Sequence, residues 1–157
     1  MQREIYLVED SSDFRQLIRS IFHHHLPNYK IKSFQGAREL YQYMVLQSGE
    51  DYSGGRPALI ILDLKMHMMD GLELLKLIRQ TPSNASTDWT VLPVVMFSAA
   101  ATQEEINQCY QAGANSFFVK PYDPEELRKM LETICHYWVD YNCIASVTSS
   151  SNKETAI

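Results

Sequence analysis

The sequence predicts an α/β fold in which a five-stranded parallel sheet lies between two layers of helices, as a three-layer (βα)5 sandwich. Short apolar runs recur along the chain without alternating polar residues, which is typical of strands covered on both faces. Between these runs the apolar residues follow the period of amphipathic helices. Strand and helix alternate five times in this way, and such alternation favours right-handed crossovers onto a parallel sheet.

Four of the five predicted strands are apolar runs, and we expect them in the interior of the sheet. They are predicted over residues 5–8, 58–62, 93–97 and 116–119. The second strand in chain order, residues 29–33, alternates polar with apolar residues and is expected at an edge.

Each of the first three helices is predicted from an apolar stripe and from the residue before it. Asp13 is the N-cap candidate of the first helix. The second and third stripes follow Gly36 and Gly71. The stripes consist of Phe14, Leu17, Ile18, Ile21 and Phe22, then Ala37, Leu40, Tyr41, Met44 and Val45, then Leu74, Leu75 and Ile78.

The last two helices have stronger start signals. Thr102 can cap the fourth helix while Glu105 reaches back to the cap, and Gly113 is expected to close this helix. The fifth helix is predicted to begin with Asp123-Pro124-Glu125-Glu126, which combines an N-cap acid, a proline at the first helical position and a further carboxylate in the first turn.

Length and composition fit one domain. With 157 residues, of which 45% are hydrophobic and 21% charged, the chain can bury a core of ordinary size. We expect one domain over residues 1–145 and a disordered, Ser/Thr-rich tail over residues 146–157. Two connections longer than the fold requires, residues 47–56 and 80–90, are predicted to be surface insertions.

Charge and cysteine content exclude several classes of protein. The net charge of −5 provides no broad positive field, so no direct nucleic-acid ligand is expected. No apolar run approaches the roughly 18 residues of a membrane span, and the N-terminus lacks the order of a secretory signal, so we expect a cytoplasmic protein without a membrane partner. Cys109, Cys135 and Cys143 form no C-x-x-C pair and are expected to be reduced thiols.

The residues that suggest chemistry stand directly after the strands. Glu9 and Asp10 follow the first strand, Asp63 the third, Ser98 the fourth and Lys120 the fifth. The carboxyl ends of parallel strands meet at one edge of the sheet, where α/β proteins bind ligands. Three carboxylates there would raise each other's pKa unless a cation lay among them. Oxygen ligands in a shallow site favour Mg²⁺, and the lack of histidine or thiol at these positions disfavours zinc.

A carboxylate beside Mg²⁺ can attack phosphorus and form an acyl phosphate. The Lys120 ammonium and the Ser98 hydroxyl suit the charge that develops on the phosphoryl oxygens. Asp63 is the predicted acceptor, because the middle of the sheet would place it between the other acids and the lysine.

Five sequence fragments, in their order and spacing, resemble one known family over roughly residues 3–142. The chain resembles the receiver domain of bacterial two-component response regulators, of the chemotaxis-regulator type, and this implies a flavodoxin-like fold. The resemblance implies a phosphorelay switch, not an enzyme, which assists only its own phosphorylation and dephosphorylation. The fragments are Leu7-Val8-Glu9-Asp10, Ile61-Leu62-Asp63-Leu64-Lys65-Met66, Asp70-Gly71, Phe97-Ser98-Ala99 and Phe118-Val119-Lys120-Pro121.

The same resemblance implies the roles of the acidic residues. Glu9, Asp10, Asp63 and the backbone carbonyl of Lys65 would hold Mg²⁺. Asp63 would receive the phosphoryl group from a sensor histidine kinase or from a phosphotransfer protein. Lys65 occupies a position that tunes phosphate lifetime in the family, and its side chain is expected to hinder or orient the attacking water.

The resemblance further implies a switch. Ser98 and Lys120 would bind the phosphoryl oxygens, and Ser98 and Phe117 would then move, so that a downstream protein target reads an altered surface.

Two residues depart from the family pattern. His67 stands where a proline is common, and Phe117 replaces a frequent tyrosine, so that no phenol hydroxyl is available there.

Within the family, the two insertions and residues 112–116 and 135–142 resemble stand-alone receivers that pair with phytochrome-type histidine kinases. Tyr137, Tyr141 and Ile144 extend a second apolar stripe that would support a homodimer. Alternatively, these side chains pack over the edge of their own domain.

Three other functions remain open. A phosphohydrolase with an aspartyl nucleophile usually carries an acid two residues later, where Lys65 stands. A flavin-binding module would need a phosphate-binding loop after the first strand, where Glu9 and Asp10 would repel a phosphate. A binding module that has abandoned phosphorylation would not need the intact set of polar residues.

Overall fold

The computed structural model describes residues 3–49, 51–52, 54, 56–83 and 87–145. Within these residues the predicted α/β fold is confirmed, with five parallel strands in one sheet and five α-helices. The predicted tail, residues 146–157, lies outside the described residues. In chain order the elements are β1 (Arg3–Val8), α1 (Ser12–His25), β2 (Tyr29–Phe34), α2 (Ala37–Gln47), β3 (Pro57–Asp63), α3 (Gly71–Gln80), β4 (Val94–Ser98), α4 (Gln103–Gln111), β5 (Ser116–Val119), α5 (Pro124–Cys135) and a π-helix (His136–Tyr141).

The strands are ordered β2-β1-β3-β4-β5, and all neighbours are parallel. β3 is central and β2 lies at an edge, as predicted. The prediction of an interior β5 is wrong, because this strand forms the opposite edge. Its apolar sequence has a different cause, since Phe117 packs against the core on one face of the sheet and Phe118 against the core on the other.

Two hydrophobic cores cover the two faces of the sheet. Along β1, Ile5 and Leu7 point to the core formed with α1 and α5, whereas Tyr6 and Val8 point to the core formed with α2, α3 and α4. All four side chains are fully buried. The backbone at the carboxyl end of the sheet is therefore fixed from both sides.

Helix caps confirm most of the predicted helix starts. The Thr102–Glu105 capping box of α4 and the Asp123 cap of α5 are both present. For α1 the prediction is wrong, because Ser11 is the N-cap and its hydroxyl accepts a first-turn backbone N–H at 3.3 Å. Asp13 lies within the first turn instead, where its charge is favourable to the helix dipole.

The second predicted insertion, residues 80–90, is not confined to the surface. Trp89 is fully buried. The Arg79 guanidinium donates to the carbonyl oxygens of Trp89 and Leu92 at 3.0 and 2.6 Å. It also donates twice to the carbonyl oxygen of Gly113, at 2.9 and 2.8 Å. Arg79 thereby ties the insertion to the turn after α4.

The first predicted insertion, residues 47–56, also has an inward part. Gln47 is the last residue of α2 and is buried. Its amide donates to the Tyr6 hydroxyl at 2.5 Å, and its carbonyl oxygen lies 3.5 Å from the Thr87 hydroxyl of the second insertion. The two insertions are thus joined to each other beneath the surface.

The π-helix after α5 and the residues that follow it present an apolar stripe to solvent. Val139 is buried, whereas Tyr137, Tyr141 and Ile144 are exposed by 54%, 77% and 46%. These three side chains therefore leave much of their surface uncovered by their own domain. The homodimer stays a prediction.

The helices of this domain are short. The longest of those described, α1, has 14 residues. In the part of the chain that the structure describes, no helix combines the length and apolar character needed to cross a membrane.

Gly71 allows α3 to approach the end of β3 closely. Its N–H donates to the carbonyl oxygen of Leu64 at 2.7 Å. A Cβ atom at this position would lie 2.1 Å from the carbonyl oxygen of Asp63. No side chain fits there, so this glycine helps to fix the backbone of Asp63.

We predict that Gly71→Ala destabilises the protein by about 2 kcal/mol or more, because the backbone of Asp63 must shift to admit the methyl group. Gly36→Ala is the matched control, since no described atom lies within 4 Å of a Cβ there, and it should cost less than about 1 kcal/mol. Urea unfolding measures both changes. Equal costs would contradict the role assigned to Gly71.

Candidate functional site

Three carboxylates converge at the carboxyl end of the sheet. Glu9 and Asp10 follow β1, and Asp63 ends the neighbouring strand β3. One carboxylate oxygen from each residue lies within 4.8 Å of the other two. Glu9 and Asp63 are buried, and Asp10 is half-buried. The structure thus brings together the three acids that the sequence predicted to meet.

Lys120 reaches these acids from the edge strand β5. Its Nζ lies 2.6 Å from Glu9 Oε2 and 3.2 Å from Asp63 Oδ1. The side chain must cross β4 to do so, and it passes over two aromatic rings, with Nζ 4.6 Å from the centre of Phe14 and 5.5 Å from that of Phe97. With only 13% of its side chain exposed, the ammonium group is a shielded counter-charge for the acids.

The charges at the site are not balanced by Lys120 alone. The pKa of Asp63 is raised to about 7, mainly by burial and next by the Glu9 charge, and Lys120 opposes both effects. A divalent cation would relieve this repulsion, and a set of carboxylate oxygens is the donor set that Mg²⁺ prefers. The residues present therefore fit a magnesium ion.

Backbone groups and one arginine orient the two acids after β1. The Arg15 guanidinium donates to the carbonyl oxygens of Glu9 and Asp10 at 2.7 and 3.1 Å. The Ser11 N–H donates to Glu9 Oε1 at 3.2 Å. The sequence analysis did not single out Arg15. A basic residue in the first turn of a helix is unfavourable to the helix dipole, so its presence there indicates a role other than helix stabilisation.

The loop after β3 also contacts Asp10. The His67 N–H donates to Asp10 Oδ2 at 3.1 Å, and its Nε2 lies 3.9 Å from the same oxygen. The imidazole itself is almost fully exposed. Met68, the next residue, has a positive φ of 71°. Because proline has no N–H, His67 in its place leaves a backbone donor that holds the Asp10 carboxylate.

Ser98 lies at the site, but its hydroxyl faces its own loop. The residue is buried at the end of β4, where Phe97 pairs with Asp63 in the sheet. Its Oγ donates to the carbonyl oxygen of Ala100 at 2.8 Å. Phe117 is half-buried and packs against the core of α2, α3 and α4. In the part of the chain that the structure describes, no hydrogen bond joins Ser98 or Phe117 to the three acids.

The comparison with known families decides the identity of this domain. The family model of the response regulator receiver domain matches residues 5–132. The chain belongs to the response regulator receiver domain family. The matched residues of this receiver domain include Glu9, Asp10, Asp63, Ser98 and Lys120. The protein is therefore a receiver-domain response regulator of two-component signalling.

Two relatives match the receiver domain over most of their own length. The probable methanogenesis regulatory protein FilR2 of Methanothrix harundinacea is 29% identical over 140 residues, which cover 88% of this chain and 84% of FilR2. The response regulator Rcp1 of Synechocystis sp. is 26% identical over 136 residues, which cover 87% of this chain and 88% of Rcp1.

Solved structures extend this likeness. The phosphorylated cyanobacterial phytochrome response regulator RcpA has a TM-score of 0.79 and 25% identity, and the match covers 93% of this chain and 100% of RcpA. The Mn²⁺-bound form of Rcp1 has a TM-score of 0.74 and 25% identity. This match covers 92% of this chain and 99% of Rcp1. The predicted resemblance of the receiver domain to phytochrome-type response regulators is confirmed.

We predict that Asp63→Asn stabilises the receiver domain at pH 8 without divalent cations and has a smaller effect at pH 5. Folding raises the pKa of Asp63 from 3.8 to about 7, so between these values the folded state holds a proton that the unfolded state has lost. The free energy of unfolding therefore falls as pH rises through this window. The gain at pH 8 should be on the order of 1–3 kcal/mol.

Chemical denaturation at the two pH values measures this gain, with the exposed Asp51→Asn as control. Asp51→Asn should change stability by less than about 0.5 kcal/mol at either pH. A stabilisation by Asp63→Asn that does not depend on pH would contradict the prediction.

Proposed function

We propose that this receiver domain is a phosphorelay switch that accepts a phosphoryl group on Asp63 in a Mg²⁺-dependent reaction. The observation that carries the proposal is the convergence of the Glu9, Asp10 and Asp63 carboxylates. Lys120 forms ion pairs with Glu9 and Asp63. The phosphorylated state of RcpA and the Mn²⁺-bound state of Rcp1 support it by analogy.

Glu9, Asp10, Asp63 and the backbone carbonyl of Lys65 are the proposed Mg²⁺ ligands. When bound, the ion neutralises carboxylate charge and polarises the phosphoryl group. An oxygen of Asp63 then attacks phosphorus, the phosphorus–nitrogen bond of a phosphohistidine breaks, and the imidazole leaves with uptake of a proton. The histidine belongs to a sensor kinase or to a phosphotransfer protein.

Lys120 stabilises the charge on the transferred group. Its ammonium bridges Glu9 and Asp63 in the structure, and we expect it to turn toward the phosphoryl oxygens. Because the group lies against the rings of Phe14 and Phe97 and is shielded from water, its charge acts more strongly there than at the surface.

Ser98 and Phe117 convert the charge at Asp63 into a change of surface. The Ser98 hydroxyl can bind a phosphoryl oxygen only if it gives up its bond to the Ala100 carbonyl. The loop after β4 must then rearrange, and Phe117, which is half-buried on the neighbouring strand β5, turns with it. A downstream protein target reads this altered surface.

The likeness to phytochrome-type response regulators supports the remaining assignments. We infer a stand-alone receiver, residues 1–145, that works in the cytoplasm and is not an enzyme in its own right. Its upstream partner is a histidine kinase of the phytochrome type, and it needs no nucleic acid or membrane. The exposed stripe of Tyr137, Tyr141 and Ile144 is the proposed homodimer contact.

Acetyl phosphate with Mg²⁺, followed by intact-mass measurement, tests the proposal. We expect one alkali-labile phosphoryl group per chain, because an acyl phosphate hydrolyses readily, and we expect none in Asp63→Asn. The control Asp51→Asn, which removes an exposed carboxylate, should be modified like the wild type.

Other results would favour the rival functions. Steady release of phosphate from phosphomonoesters would indicate a phosphohydrolase, and a yellow cofactor would indicate a flavin module. A folded wild-type protein that acquires no phosphoryl group would indicate a binding module that has lost this chemistry.

A further inference from the structure

An ion pair joins the loop that follows the acceptor to the start of α4. Lys65 Nζ lies 3.7 Å from Glu105 Oε1. Lys65 comes two residues after Asp63, and Glu105 lies in the first turn of α4. The loop after β3 and the helix after β4 are therefore linked by two side chains of opposite charge at the same end of the sheet.

Glu105 is held in place without the help of Lys65. Its Oε2 accepts the Thr102 N–H at 2.8 Å, and its own N–H donates to the Thr102 hydroxyl at 3.2 Å. The hydrogen bond from the Thr102 backbone is the main reason why the pKa of Glu105 is lowered, and the Lys65 charge lowers it further. Glu105 is thus a fixed carboxylate, whereas Lys65 has a long side chain that is 57% exposed.

We propose that Glu105 is a positioning residue, which holds the Lys65 ammonium away from Asp63 and competes for it with a phosphoryl group on Asp63. This inference rests on the proposed function, because it needs Asp63 as the acceptor. A phosphoryl group would add about two negative charges near a side chain only two residues away, whereas Glu105 offers one. Lys65 then changes partner, and α4 loses its link to the acceptor loop.

The two ends of α4 are held very differently. At the far end, Arg79 donates two hydrogen bonds to the Gly113 carbonyl and one to the Asn115 side chain at 2.9 Å. A Cβ at Gly113 would lie 3.0 Å from Arg79 Cγ, so this corner is closely packed. Loss of the Lys65–Glu105 pair therefore affects the first turn of α4 and leaves its last turn fixed.

Beryllofluoride, an analogue of the phosphoryl group, provides the test. Its affinity for the full chain in Mg²⁺ buffer is measured by ¹⁹F NMR of the bound species. Glu105→Gln removes the competing charge, while glutamine can still accept the Thr102 N–H. We expect beryllofluoride to bind about two- to fivefold more tightly, a range set by the usual strength of an exposed ion pair.

Glu104→Gln is the matched control. It removes the same charge from the neighbouring residue of the same helix turn, and the Glu104 carboxylate has no partner among the described residues. We expect it to change the affinity less than twofold. In a Lys65→Met background, Glu105→Gln should have no effect, because the side chain through which Glu105 acts is gone.

Each other outcome has a distinct meaning. If the wild type binds no beryllofluoride, the proposed function fails and this inference fails with it. If the wild type binds it but Glu105→Gln and Glu104→Gln behave alike, the inference alone is overturned. If the effect of Glu105→Gln persists in Lys65→Met, Glu105 acts through α4 as a whole and not through Lys65, which also overturns the inference.

Discussion

The repulsion among three carboxylates at one point is the constraint on which the rest of this structure depends. Glu9, Asp10 and Asp63 present oxygens within 4.8 Å of one another, and two of the residues are buried. Without a counter-charge such a cluster takes up protons, as the raised pKa of Asp63 indicates. One lysine opposes the repulsion in part. The site therefore has a strong electrostatic preference for a cation, and the proposed role of Asp63 as phosphoryl acceptor depends on that preference.

The fold maintains this unfavourable arrangement by fixing the backbone around it. The strand order places β1 and β3 side by side, and both faces of the sheet are packed. Gly71 admits the start of α3 against Asp63, and Arg15 holds the carbonyl groups of the loop after β1. In the proposed switch the Ser98 hydroxyl must move, and a single hydrogen bond to the Ala100 carbonyl holds it. Rigid acids and movable partners are what a switch requires.

Much of the fold and most of the site could be predicted from the sequence, because strand ends and helix caps are local signals. Glu9, Asp63 and Lys120 follow apolar runs, and parallel strands bring such ends together. The edge position of β5 could not be predicted, because packing on both faces of the sheet gives this edge strand the apolar sequence of an interior strand. Burial of Trp89 and the pairing of Lys65 with Glu105 depend on contacts between distant segments. No local pattern encodes such contacts.

The central claim is that these three acids form one cation site, and a titration with Mn²⁺ tests it most directly. The EPR signal of the free ion reports how much has bound, and Mg²⁺ should displace it. The account predicts one bound ion per chain, and an affinity at least about tenfold lower in Asp10→Asn but unchanged in the exposed control Asp51→Asn. Undiminished binding by Asp10→Asn, or no binding by the wild type, would contradict it.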